Sequence, residues 1–217
     1  MSIDFTTIIS APDAPLRDLL VRIESGLNEL GFRHDHSILR AAYDSDREVF
    51  DELFPDEELR VQSGYDELPR EVSLWEGCSC EFWNDSFRLY VLIGRIGHGA
   101  YVNVWVDITL QSLTRLLRRQ ENRGFQGALA TISAAVDAYG GYGHLELAFQ
   151  PLSPERVRTA FVDMPEFPGE PSLLGLIPTG DLTEEEVRKR YGSIFEASLS
   201  TQGYWVLTQD LVKALAP

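Results

Sequence analysis

Eleven carboxylates fall between Asp44 and Glu71, among only three arginines, Arg47, Arg60 and Arg70. Residues 51 to 58, DELFPDEE, are the densest part of that stretch. Carboxylates at such density can coordinate a cation, act as general acid and base, solvate a surface, or complement a basic partner. Asp44, Asp46, Asp51 and Glu52 lack the central glycine and the glutamate at the twelfth position that a calcium loop requires. Paired-carboxylate catalysis singles out no pair among 34 acids. His34, His36, Cys78 and Cys80 supply four zinc-ligand types, but each pair is separated by one residue, shorter than zinc-site spacing. Surface histidines and buried thiols are the simpler expectation.

The glycines of GRIGHGAY run G-x-x-G-x-G between two apparent strands, whereas a dinucleotide fingerprint runs G-x-G-x-x-G into a helix. A hairpin turn is the expected use. No Walker lysine motif, G-x-S-x-G elbow or H-E-x-x-H pair occurs. The sequence therefore points to no catalytic residue, metal or cofactor. Arg115, Arg118 and Arg119, followed by Arg123, share a helix face at three- and four-residue spacing. In a chain of net charge -15 their expected role is pairing with the protein's own acids.

That net charge repels nucleic acid and anionic membrane surfaces, and it favours a cationic protein. The N-terminus, MSIDFTTIIS, has no basic residue ahead of a long apolar run, and no window nears 18 consecutive apolar residues. Cys78 and Cys80 are read as reduced thiols. A cytoplasmic location is expected.

With 217 residues and 44% hydrophobic content, the chain can bury a sizeable core. A strand over 3–9 leads to a helix in which Leu16, Leu19, Leu20, Ile23, Leu27 and Leu30 form one stripe, with Asp13 as cap and Gly31 as stop. His34 to Tyr43 is read as strand, and Asp46 to Phe54 as a short helix ended by Pro55. Strands are expected from Glu71 onward. The pair RLYVLIGRI and AYVNVWVDI forms the best hairpin, placing Leu89, Val91 and Ile93 with Val102, Val104, Val106 and Ile108 on one face. Its other face presents Arg88, Tyr90, Tyr101, Asn103, Trp105 and Asp107, either as anchors for a partner or as a second buried layer.

Two helical patterns follow, one on Leu110, Leu113, Leu116 and Leu117, the other from Phe125 to Tyr139 and closed by Gly140 and Gly141. Residues 144–150 alternate as a strand, and Ser153-Pro154 opens a short helix. The proline-rich span 164–178 reads as an ordered loop over the sheet, Asp181 to Tyr191 as a helix, 193–199 and 203–207 as paired strands, and 208–216 as a last helix. The whole is expected to be one α+β domain, 1–217, with a mainly antiparallel sheet flanked by helices and an acidic segment at 44–71.

This organisation, with the ending TQGYWVLTQDLV and the DELFPDEE stretch, resembles the immunity proteins of bacterial toxin systems. The resemblance implies a cognate secreted toxin, such as a nuclease, held inactive by direct binding in the producing cell's cytoplasm. From the residues themselves, the expected partner surface comprises Asp51, Glu52, Asp56, Glu57, Glu58, Asp66 and Glu67 for steering, with Tyr90, Tyr101 and Trp105 as anchors. The alternatives are a hydrolase with an unrecognised carboxylate site and a structural or assembly protein.

Overall fold

A computed structural model describes residues 4–52, 58–97, 100–119, 123–145, 149, 151–158, 166–167, 170–171, 174–178, 183, 185–186, 189, 198–200 and 203–207. The first strand, β1 (Asp4–Pro12), is longer than its sequence pattern suggested. Helix α1 (Leu16–Glu29) buries Leu16, Leu19, Leu20, Ile23 and Leu27 of the expected stripe, while Leu30, also expected there, follows the helix end and is 45% exposed. It starts at Pro15 with no side-chain cap, because Asp13 is engaged by Arg95 instead. It ends as expected at Gly31, whose positive φ lets the Phe32 N–H reach back to the Leu27 carbonyl at 3.0 Å.

The sheet then builds through β2 (Arg33–His34), β3 (Ser37–Asp44), β4 (Val49–Glu52) and β5 (Glu58–Arg60). Over 46–52, the described part of the helix expected at 46–54, no helix forms. Asp44 Oδ1 accepts from the Asp46 and Arg47 N–H groups, Glu48 turns left-handed at φ 56°, and the chain reverses into β4 against β3. Val72 and Leu74, expected on a strand, lie in a 3-10 turn over Arg70–Leu74, which follows another over Tyr65–Glu67.

Strands β6 (Gly77–Trp83), β7 (Arg88–Ile96) and β8 (Tyr101–Thr109) form an antiparallel meander, and the β7–β8 hairpin has the expected strands. Helices α2 (Leu110–Arg118) and α3 (Arg123–Ala135) follow, with Thr109 capping α2 through Ser112 N–H at 3.3 Å. Helix α3 stops short of the expected Tyr139. Asp137 is left-handed, Tyr139 N–H bonds the Ser10 carbonyl, and the two glycines expected to close the helix begin β9 (Gly140–Leu145). Helix α4 (Pro154–Arg158) has Ser153 Oγ accepting from Arg156 N–H, as its sequence indicated.

The described residues of the proline-rich span, expected as a loop, are strand. They contribute a small hairpin of β10 (Glu166–Phe167) and β11 (Glu170–Pro171), then β12 (Leu174–Pro178) within the main sheet. Strands β13 (Ser198–Ser200) and β14 (Gly203–Leu207) pair as anticipated. Of the expected helix over Asp181–Tyr191, the described portion shows Thr183 and Glu186 capping each other reciprocally. The helix expected over 208–216 lies outside the described residues.

The main sheet has twelve strands in the order β13-β14-β12-β9-β1-β8-β7-β6-β3-β4, with β2 beside β6 and β5 beside β3, and every described pairing is antiparallel. This is one α+β domain. Helices α1, α2 and α3 cover one face, where Leu89, Val91, Ile93, Val102, Val104, Val106 and Ile108 face inward as their alternation requires. The other face carries a smaller cluster of Ile8, Ala41, Phe50, Leu92, Trp105, Tyr142 and Leu152, so the second buried layer exists. Asn103 fastens its cover: the side-chain amide donates to the Leu152 carbonyl at 3.0 Å and accepts from the Leu152 N–H at 2.8 Å. Among the described residues no helix is long and apolar enough to cross a membrane.

Candidate acidic interface and its apolar groove

The expected partner surface divides on folding. Trp105 is 0% exposed, packed against Phe50 and Phe149 with ring centroids 5.5 and 6.1 Å away, so it is core and not an anchor. Tyr90 and Tyr101 share that face of the sheet, but Tyr90 is opposite Asp107 and Tyr101 opposite Ile96. Six residues of strand, about 20 Å, therefore separate them, and they form no single patch. Tyr90 stacks on Phe149 and lines a cavity of about 200 Å³ together with Asp51. Tyr101 is half-buried, and that burial, with Glu155 and Tyr43 nearby, raises its pKa.

The acids divide as well. Asp51 pairs with Arg47 across the β3–β4 turn, and Glu58 with Arg60 at 2.9 Å. Glu67 is exposed but accepts from Gln62 N–H, Ser63 N–H and the Ser63 hydroxyl. These donors, the hydroxyl first, hold its carboxyl below the usual range. The Asp66 side chain is exposed, while its backbone carbonyl is gripped by Arg17 of α1, whose Nε also donates to Leu68 O at 2.8 Å. Asp56, Glu57 and the side chain of Glu52 lie outside the described residues.

Asp44, Asp46, Glu48, Asp66, Glu71 and Glu76 belong to no ion pair among the described residues. All but Asp44, which is partly covered, are exposed. The arginine cluster does not compensate them: Arg115 donates to the Ser86 carbonyl, and Arg118 and Arg119 are exposed without an ion pair among the described residues. Their expected pairing with the protein's own acids is not formed there.

Where the β3–β4 hairpin, the Arg70–Leu74 turn and the far end of β7 meet, the surface opens into a groove of about 580 Å³. Tyr43, Leu74, Trp75, Ile96 and Pro151 supply its apolar lining, with Glu76 in the wall. Leu74 is 81% exposed and Tyr43 42%, an unusual cost for large apolar side chains beside a filled core. The turn that presents them is braced. Arg95 binds both oxygens of Asp13 at 2.8 Å and reaches the Ser73 carbonyl, while its own N–H meets Glu76 O at 2.7 Å. Glu76 Oε2 accepts from Tyr43 N–H at 3.2 Å, and Arg40 covers the Trp75 ring at 5.6 Å. Arg95, the cation lining this groove, is thus neutralised by Asp13.

Sequence reading missed this groove. Its signal was local and small: an adjacent Leu74-Trp75 pair enclosed by Glu71 and Glu76 in a segment too short to be a full strand.

Cys78 and Cys80 are free and buried on the helix-covered face, where desolvation pushes Cys78 up to about 12 and Cys80 well above its ordinary value. They are protonated packing groups, not nucleophiles. His34, adjoining them through β2 and β6, is committed to Glu24 at 2.6 Å.

No family profile matches this chain, and no curated protein does. Among solved structures it aligns with the Pseudomonas aeruginosa T6SS protein PA0821 at TM-score 0.49 and 11% identity, covering 94% of this chain and 65% of that one.

Proposed function

We propose that this protein is an acidic binding protein that captures and neutralises a basic partner protein, in the manner of a cytoplasmic immunity protein that inhibits its cognate toxin by direct contact. The observation that carries the reading is a set of exposed carboxylates, Asp46, Glu48, Asp66, Glu71 and Glu76, that belong to no ion pair among the described residues, together with an exposed apolar groove that has Glu76 in its wall. Surface charge of one sign accelerates encounter with a body of the opposite sign, and desolvated apolar contact then slows its departure. The assignment to an immunity role, rather than to binding in general, rests on the resemblance of the chain's organisation and its TQGYWVLTQDLV ending.

The test is to purify the protein together with a basic product encoded beside its gene, and to follow that product's activity as the acidic protein is titrated in. Stoichiometric loss of activity is expected, with an association rate that falls as salt rises. Replacing Asp46, Asp66 and Glu71 together by lysine should slow association and flatten its salt dependence while leaving the fold intact. An association rate indifferent to both salt and the triple substitution would reject the proposal.

A further inference from the structure

We infer that the groove beside Leu74 receives one large apolar side chain, aromatic or leucine-like, presented by a lysine- and arginine-rich segment of the partner. This rests on the reading above and adds the contact that follows electrostatic capture.

Three observations bear on the occupant. First, the lining is apolar and open to water: Leu74 and Tyr43 stand in solvent, and Trp75 and Ile96 line the groove with them. Such a rim gives up its water only to an apolar group. Second, the surrounding charge is predominantly acidic, with Arg70 at the start of the turn and Arg40 over the Trp75 ring as the cations set against it. Glu76 is in the wall, Glu71 is in the turn that carries Leu74, Asp44 follows Tyr43, and Arg95 is already satisfied by both oxygens of Asp13. A segment entering the groove therefore gains from flanking cations and loses from flanking anions. A second copy of this chain would bring its own exposed acids, in no ion pair among the described residues, to the same rim, and like charges facing each other oppose association. Third, the groove is held by a preformed scaffold, since Arg95 ties the turn to β7 and Glu76 ties it to β3. Little ordering accompanies entry, which favours a defined anchor position.

The probes are three heptapeptides: lysines and arginines around a central phenylalanine, the same cations around a serine, and glutamates around the phenylalanine. Binding is measured by calorimetry at low salt on the intact protein, together with amide chemical shifts. The cationic phenylalanine peptide is expected to bind about tenfold more tightly than the cationic serine peptide, with shifts at Tyr43 and Trp75, and the anionic peptide not at all. Leu74→Ser, at an exposed position that folding does not depend on, should erase the difference between the cationic peptides without weakening the serine one.

Equal binding of the two cationic peptides, or a difference that survives Leu74→Ser, overturns the groove while leaving the acidic capture surface standing. Failure of both cationic peptides to bind removes the capture reading itself. A concentration-dependent dimer abolished by Leu74→Ser would show that the groove's occupant is another copy of the chain, and would overturn the inference as well.

Discussion

Glu24, on α1, and His34, on β2, meet in the interior with Oε1 and Nε2 2.6 Å apart. The His36 N–H donates to His34 Nδ1 at 3.2 Å, which assigns the ring proton to Nε2 and directs it at the carboxylate. The second Glu24 oxygen accepts from Tyr65 N–H at 2.9 Å, so one buried acid joins a helix, a strand and the first 3-10 turn of the acidic segment. Replacing Glu24 by alanine leaves two buried donors without an acceptor, a loss on the order of 3 kcal/mol. Denaturant midpoints should show that loss, and amide exchange should rise between Tyr65 and Leu68. Glu24→Gln keeps an acceptor and should lose less. A loss for Glu24→Ala no larger than that of Glu29→Ala, an exposed acid on the same helix, would show the junction to be dispensable.

Asp107 sets a pH dependence of stability. Burial pushes its carboxyl up to about 7, against a partly offsetting hydrogen bond from Thr6, with the Asp4 charge adding to the rise. One of its oxygens, Oδ1, is buried without a hydrogen-bond partner. A carboxyl whose folded pKa exceeds its unfolded value binds more protons in the folded state, so its contribution is complete below the unfolded value near 3.8 and is lost as pH rises towards 7. The loss across that window amounts to a few kcal/mol, at roughly 1.4 kcal/mol per pH unit. Melting temperatures should therefore fall between pH 4 and pH 7 for this group and level off above. Asp107→Asn should remove that slope and raise stability at pH 8. An unchanged slope in the variant would place the titration elsewhere.

Elements with a long, unbroken period were legible in the sequence, and sites assembled from distant pieces were not. The β7–β8 hairpin declared both faces because nine-residue alternation leaves only one register consistent with burial. Residues 46–54 did not, since Val49 and Phe50 satisfy a helical or an extended period equally. The decision fell to Asp44 as a turn-forming side chain and to Glu48 in the left-handed region. Charge density in DELFPDEE was visible, but which acids would find an internal arginine was not: Arg47 and Arg60 take Asp51 and Glu58 through local geometry. The groove joins residues near 43, 75, 96 and 151, a meeting that the adjacent Leu74-Trp75 pair alone does not encode.

Asn103 also illustrates a role that composition conceals. It is fully buried on a strand, and its amide makes the two bonds to Leu152 that a neighbouring strand would otherwise make. Phe149, three residues earlier, accepts from the Phe50 N–H at 3.1 Å along the outer edge of β4. Asn103→Ala should unfasten this cover, costing on the order of 2 kcal/mol through the unpaired Leu152 backbone. Hydrogen exchange reads it directly: protection should fall at the Leu152 and Phe50 amides and persist at Val104 in the core. Protection unchanged at Phe50 would mean that the edge of β4 is held independently.

Gly94 and Phe50 are coupled by close approach. A Cβ added at Gly94 would stand 2.7 Å from Phe50 Cζ, and one at Gly77 would stand 3.1 Å from the same ring and 2.8 Å from the Ile93 carbonyl. The ring has little freedom to retreat, because it is 1% exposed and packs between Tyr43 and Trp105 at 5.5 Å from each. Gly94→Ala should therefore cost about 1–3 kcal/mol by overpacking and should shift the Tyr43 ring, one wall of the groove. Phe50→Leu gives room at the same contact. In the double variant, part of the Gly94→Ala loss should return, a non-additivity that a thermodynamic cycle measures. Strictly additive losses would show that alanine at position 94 is accommodated by backbone movement, with the ring left in place.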